Sequence, residues 1–189
     1  MIGILIILLL IVVLPVAYVL AQYNVLVSLR NYIRESWSDV DVELKRRYDL
    51  IPNLVATVKG YAAHERDVLE RVTELRNLCA ANNGPVADQS RDEVQLVDAL
   101  KQLLVVVENY PQLKADQHFL ALQNELVNTE DRIQAARRFY NGNVRDYRNK
   151  CETFPSNLIA NMFGFKPEGD FFSVPPSVRD VPNADFATS

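Results

Sequence analysis

The sequence predicts an all-α protein: an N-terminal transmembrane helix continuous with an antiparallel four-helix bundle, then a short irregular C-terminal tail. Three observations carry that expectation. Residues 2–20 hold no charged side chain. From there to about residue 152, apolar residues recur at the three- and four-residue spacing of helices. Turn signals are widely separated, and no strand alternation survives beyond a few residues.

The charge distribution sharpens the division. The chain has 189 residues, 49% of them apolar, and its first charged side chain is Arg30. All 20 Lys and Arg and all 24 Asp and Glu therefore follow the apolar leader. Such a composition excludes a disordered chain, a collagen-like repeat and a disulfide scaffold. A net charge of −4 argues against a nucleic-acid partner.

The leader runs from Ile2 to Leu20 and covers roughly 29 Å at about 1.5 Å per residue, close to the hydrocarbon core of a bilayer. Tyr18 and Tyr23 stand where an aromatic belt belongs. A cleaved signal peptide is the rival reading. It calls for a basic start and a shorter apolar run, and neither is present. Lipid is thus the first expected partner. Arg30, Arg34, Lys45, Arg46 and Arg47 all follow the span, so the positive-inside rule puts the C-terminal domain in the cytoplasm and the N-terminus outside. A bacterial inner (cytoplasmic) membrane is the expected location.

The elements follow in order. Leu26, Ile33 and Val40 recur every seven residues, as do Trp37 and Leu44, with no Pro or Gly between residues 24 and 48. The span should therefore run straight into the first domain helix. Pro52 disfavours helix at Ile51 and suits a helix start, so a second helix is expected from there to about Ala81. Its inward positions are Leu54, Val58, Tyr61, Val68, Val72, Leu75 and Cys79. Asn82-Asn83-Gly84-Pro85 is a turn. A third helix is expected from about Asp88 to Tyr110, with Pro111 just beyond. The fourth runs over about residues 116–152, with Phe119, Leu122, Leu126, Ile133, Tyr140, Val144, Tyr147 and Cys151 inward. The expected domains are 1–22 (span), 23–165 (bundle) and 166–189 (Pro-rich tail). In an antiparallel bundle the fourth helix ends near the bilayer. The apolar segment after it, Phe154, Leu158, Ile159, Met162, Phe163 and Phe165, then Phe171 and Phe172, caps the bundle, contacts a neighbouring subunit or dips into lipid.

A search for chemistry returns little. Di-iron bundles use Glu-x-x-His pairs, and none occurs. The chain has only two histidines, His64 and His118; His64, followed by Glu65 and Arg66, reads as a solvated or hydrogen-bonded side chain, and Cys79 and Cys151 read as small buried apolar ones. No phosphate-binding glycine motif and no GxSxG is present. Asp39 and Glu43 share a helix face, but Asp41–Lys45 and Glu43–Arg47 read as stabilising i,i+4 pairs. Arg132, Arg137, Arg138, Arg145 and Arg148 alternate with acids, as on a salt-bridged or inter-helix face. An arginine of the fourth helix reaching an acid on the first is a plausible register device. No catalytic, cofactor-binding or metal site is expected.

Several blocks read together point to a family. They include Leu44-Lys45-Arg46-Arg47-Tyr48-Asp49-Leu50-Ile51-Pro52-Asn53-Leu54-Val55, then Gly60-Tyr61 with His64-Glu65. Later come Glu108-Asn109-Tyr110-Pro111-Gln112-Leu113-Lys114-Ala115, Arg137-Arg138-Phe139-Tyr140-Asn141 and Phe154-Pro155-Ser156-Asn157-Leu158-Ile159-Ala160. Over about residues 1–170 the chain resembles the bacterial LemA family, which includes MamQ-like relatives. The resemblance implies one N-terminal span, an antiparallel four-helix bundle on the cytoplasmic side, and no catalytic residues to carry over. It also hints at membrane organisation. The expected function is a non-enzymatic scaffold that forms homo-oligomers at the membrane. The alternative is an adaptor or sensor for another membrane protein, such as a protease or signalling enzyme.

Overall fold

The computed structural model describes residues 2–167 and 169–172. Among the described residues there are six helices and no strand: α1 (Ile2–Tyr61), α2 (Arg66–Ala81), α3 (Val86–Val107), α4 (Pro111–Lys114), α5 (Gln117–Glu152) and α6 (Ser156–Met162). They fall into two compact units. The first comprises Met1–Arg47 with Leu126–Phe171, and the second is built on Tyr48–Glu125.

In the first unit, the apolar leader and the first domain helix are one element, as the absence of breakers predicts. Leu26, Val40 and Leu44 are buried on α1, and Ile133, Tyr140, Val144 and Tyr147 on α5. Along α1 from Tyr32 through Trp37 to Arg47, the partners on α5 step back from Asn143 through Tyr140 to Glu130. Asn143 Nδ2 donates to the Tyr32 carbonyl at 3.3 Å. The Trp37 and Tyr140 rings meet edge-on at 5.3 Å. Arg47 Nη1 donates to Glu130 Oε2 at 2.8 Å.

The end of α5 turns sharply. Ser156 Oγ donates to the carbonyls of Lys150 (2.7 Å) and Thr153 (2.9 Å), and the Phe154–Pro155 peptide is cis. Helix α6 follows, an element that the sequence reading had folded into the aromatic segment. It ends at Gly164, whose φ of +73° is a conformation that suits glycine. The Phe165 amide then reaches back to the Ala160 carbonyl at 2.8 Å, a Schellman-type closure that returns Phe165 to the interior. Ile159, Ala160 and Phe165 pack with Leu26, Tyr147 and Cys151. The described part of the tail lies along α5. Tyr140 Oη donates to the Asp170 carbonyl at 3.1 Å, and Arg148 donates to that of Gly169. The rest of the tail expected over residues 166–189, Glu168 and everything past Phe172, lies outside the described residues.

In the second unit, the expected break at Pro52 is absent, and α1 continues to Tyr61. Proline inside a helix lacks the N–H that the carbonyl four residues earlier would accept. That carbonyl belongs to Tyr48, and Arg76 Nε donates to it at 2.9 Å. The side chain of α2 thus replaces the lost backbone donor. Because α1 does not restart at Pro52, its stripe keeps phase through Ile51, Leu54, Val58 and Ala62.

The true break comes over Ala62–Glu65 and resets the phase of α2. Leu69 is therefore buried where Val68 was expected, and Tyr61 is 43% exposed. Leu122 and Leu126 are only half-buried, so α5 is less deeply packed there than its spacing suggests. The Asn82–Pro85 turn is as expected, with the Gly84 amide donating to Asn82 Oδ1 at 2.8 Å. Helix α3 closes at Val107 rather than Tyr110. Tyr110 instead precedes the short α4, whose first residue is Pro111.

If Arg76 substitutes for the missing donor, Arg76→Ala should cost about 1.5–3 kcal/mol, the range for a hydrogen bond to a charged group. Pro52→Ala restores the N–H, so the same change should cost clearly less in that background. Urea unfolding of the four proteins of this double-mutant cycle measures the coupling, and additivity would refute the role given to Arg76.

Candidate membrane-facing site

Two features of the first unit converge on one end of the span. The first is the apolar stretch of α1, with a mean hydropathy of 3.2 over its most apolar 18 residues and none of that window buried. By length and composition it can cross a bilayer. Leu5, Leu9 and Leu14 are each exposed by more than 60%. In water such a surface far exceeds what single scattered apolar side chains explain.

The second feature is an aromatic cluster where the stretch ends. The Tyr23 ring meets Phe163 at 5.0 Å and Phe165 at 5.6 Å, both edge-on. The Arg30 guanidinium lies over Phe165 at 5.4 Å, a cation–π arrangement. Val19 and Val27 pack against the cluster that contains Ile159, Ala160 and Phe165. Tyr18 and Tyr23 thus stand where the exposed apolar stretch ends, and α6 is held beside them.

Beyond this end the polar groups are structural. In the first unit, Arg47 is 1% exposed and its partner Glu130 about one-third exposed in its side chain. The sequence reading had Arg47 on the surface, paired with Glu43. Glu43 instead pairs with Arg46 at 3.3 Å. The register device exists in reversed sense, with the arginine on α1 and the acid on α5. In the second unit, Tyr48 Oη donates to the buried Glu93 of α3. Sequence reasoning missed Glu93, although it falls between Ser90 and Leu96 on the buried stripe of its helix. Arg47 gave the same signal between Leu44 and Ile51, as did Arg137 between Ile133 and Tyr140.

Two tyrosine–carboxylate pairs fasten the reversals of the second unit. Tyr61 Oη donates to Asp116 Oδ2 at 3.0 Å, and Tyr110 Oη to Glu65 Oε1 at 3.0 Å. Each carboxylate raises the pKa of its tyrosine, chiefly through the hydrogen bond. Asp116 also caps α5, accepting from the Phe119 amide at 2.9 Å. That amide first, then the Tyr61 hydroxyl, holds Asp116 below the usual carboxylate range. In the first unit, burial pushes Tyr140 up, with Asp170 adding to it. Of these, Tyr61, Glu65, Tyr110 and Tyr140 belong to the sequence blocks quoted above.

The other candidates do not assemble. His64, His118 and Asp39 are exposed, and Cys79 and Cys151 are buried. Of the arginine stripe, Arg137 is buried, Arg148 lies over Phe171 at 4.9 Å, and Arg132, Arg138 and Arg145 face solvent. Among the described residues, no three His, Cys, Asp or Glu side chains are grouped to hold a metal ion. An open groove of about 580 Å³ in the second unit is lined by Val55, Lys59, Ala63, Arg66, Leu69 and Glu70 among others. Its mixed charge and open mouth suit a surface contact better than an enclosed substrate.

Comparison with known proteins agrees with this picture. The profile of the LemA family matches residues 36–186. The magnetosome protein MamQ 2 of Paramagnetospirillum magneticum is 25% identical over 187 residues, covering 86% of this chain and 68% of the relative. The magnetosome protein MamQ of Magnetospirillum gryphiswaldense is 23% identical, covering 84% and 71%. Protein LemA of Metamycoplasma hominis is 28% identical over 142 residues, covering 72% and 63%. No catalytic family is indicated, and the relationship together with the apolar helix supports a membrane location.

The Asp116 geometry makes a pH prediction with a definite sign. A lowered folded pKa stabilises the fold above the unfolded value of about 3.9, and that contribution is lost as pH falls through the lower folded value. Asp116→Asn keeps a capping oxygen but does not titrate. The wild type should therefore lose its Tm advantage over Asp116→Asn as the pH drops below about 4, in paired thermal melts. A constant difference across that range would overturn the assignment. Separately, Arg47→Ala removes a hydrogen bond between charged groups whose other partner, Glu130, is about one-third exposed, and should cost about 1.5–3 kcal/mol in urea unfolding.

Proposed function

Because this chain belongs to the LemA family, we propose that it is a non-enzymatic, membrane-anchored helical scaffold that self-associates at the membrane. One observation carries the proposal. A single helix passes from an exposed apolar stretch into a buried core stripe with no linker between them. Such a helix holds a folded domain at a fixed attitude to the bilayer, which suits assembly more than catalysis. We read the domain as an antiparallel four-helix bundle over residues 23–165, with the span at 1–22 and a Pro-rich tail from 166. The descending partners of α1 on α5 support the antiparallel sense. Its setting is the bacterial inner membrane, with the domain in the cytoplasm, as the basic residues after the span favour. The magnetosome proteins among its relatives fit a role in membrane organisation.

The groove along Val55, Lys59 and Arg66 favours a second reading, in which the domain is an adaptor for another membrane protein. That groove would stay empty until the partner arrives.

Gentle extraction of the full-length chain followed by native mass spectrometry separates the two. A defined homo-oligomer is expected, and monomers at membrane-like concentration would sink the scaffold reading. Sidedness needs an engineered thiol, because both native cysteines are buried. Asn83→Cys lies in the exposed turn before α3. In intact spheroplasts it should resist an impermeant maleimide and react only after lysis. Labelling of intact cells would reverse the orientation.

A further inference from the structure

We propose that α6 is a lipid-docking foot, which inserts Phe154, Leu158 and Met162 into the interface of the bilayer that α1 crosses. The inference rests on reading residues 2–20 as a span. Three observations meet in it.

The first is amphipathicity. Ser156, Ile159 and Ala160 are buried, whereas Phe154, Leu158 and Met162 are 74%, 60% and 68% exposed. Leu158 and Met162 stand four residues apart on α6 and so share a side, and Phe154 is exposed in the turn that leads into it. For a seven-residue helix this is a large apolar surface to leave in water, and its other side is fully used in packing.

The second is level. Val19 packs against the cluster that holds Ile159, Ala160 and Phe165, Tyr23 meets Phe163 and Phe165, and Tyr18 lines a depression with Phe154 and Pro155. These contacts, with the Arg30–Phe165 stacking, seat the segment against α1 from residue 18 onward. The headgroup zone on each side of a bilayer is several Å deep, and interfacial helices sit about 5–10 Å into the headgroup–acyl boundary. A segment seated at Val19 and Tyr23, beside the end of the span, meets that zone without any movement of the chain.

The third is charge. Lys150, Glu152 and Lys166 flank the segment, so neither sign dominates. Apolar insertion is then the holding force, and neutral lipid suffices. The closure at Gly164 locks the geometry by returning Phe165 to the interior.

The test uses the full-length protein in phosphatidylcholine vesicles. Trp37 is the sole tryptophan and becomes Phe, which keeps a ring against Tyr140. Single probes are then placed as Phe154→Trp, Leu158→Trp, Leu10→Trp for the span, and Leu78→Trp on exposed α2. All four positions are exposed, so none disturbs packing. Brominated phosphatidylcholine should quench most emission from positions 154, 158 and 10 and leave position 78 bright. If position 10 is quenched while 154 and 158 behave like 78, the foot is overturned and the span stands. If 154 and 158 are blue-shifted but not quenched, a second copy covers the segment and the proposal fails. If position 10 is also unquenched, the span reading falls and takes the foot with it.

Discussion

Where α1 passes Pro52, one backbone carbonyl takes its hydrogen bond from a neighbouring helix. Pro52 cannot supply an N–H to Tyr48, and a buried carbonyl left without a donor costs free energy comparable to a lost hydrogen bond. Arg76 supplies the donor from α2. With that gap closed, the buried positions of α1 in the second unit, Ile51, Leu54 and Val58, keep a single helical phase. The guanidinium suits this task because it stays charged and presents several rigidly placed donors.

The buried interior of each unit carries groups that a purely apolar core would omit. Arg47 and Glu93 are almost fully buried, each engaged by a partner from another helix. Burying charge is expensive, and well-packed hydrophobic residues often do as well or better for stability. What a paired charge adds is selectivity among registers. If α1 slid one turn along α5, Arg47 would leave Glu130 for a neighbour that does not answer it. The tyrosine–carboxylate pairs do the corresponding work at the reversals, where Tyr61 reaches Asp116 and Tyr110 reaches Glu65. Blocks that look conspicuous as sequence are thus fasteners, which accounts for specific residue patterns without a reaction.

How much of this was legible follows from where each interaction originates. The span, the unbroken helix after it, the turn at Asn82–Pro85, the extent of α5 and the burial of both cysteines were readable, because local spacing and turn chemistry decide them. The passage through Pro52 was not. Its compensation comes from a side chain on the next helix, and propensity alone argues for a stop. The break at Ala62–Glu65 was missed for a related reason. Its only local hints are Gly60 and a polar pair, and the fastening partners lie near residues 110 and 116. Arg47, Glu93 and Arg137 were visible as charges on an apolar stripe, and the error was to assign Arg47 to its own helix. Helix α6 went unread because seven residues after a proline give too little periodicity to register. The membrane end of the site was therefore half legible: the two tyrosines by position, the helix beside them only in three dimensions.

The uninterrupted passage from the apolar stretch into the core stripe also couples them in azimuth. Each residue turns an α-helix by about 100°. Leu26 faces the interior of its unit, so the direction in which every side chain of the span points is fixed relative to that interior. A single residue added or removed near position 22 would swing the whole span by more than a quarter turn while leaving its hydropathy unchanged. Composition alone decides whether such a segment enters a bilayer. Here its length in residues, counted from Leu26, also decides which side of it any neighbour within the bilayer meets.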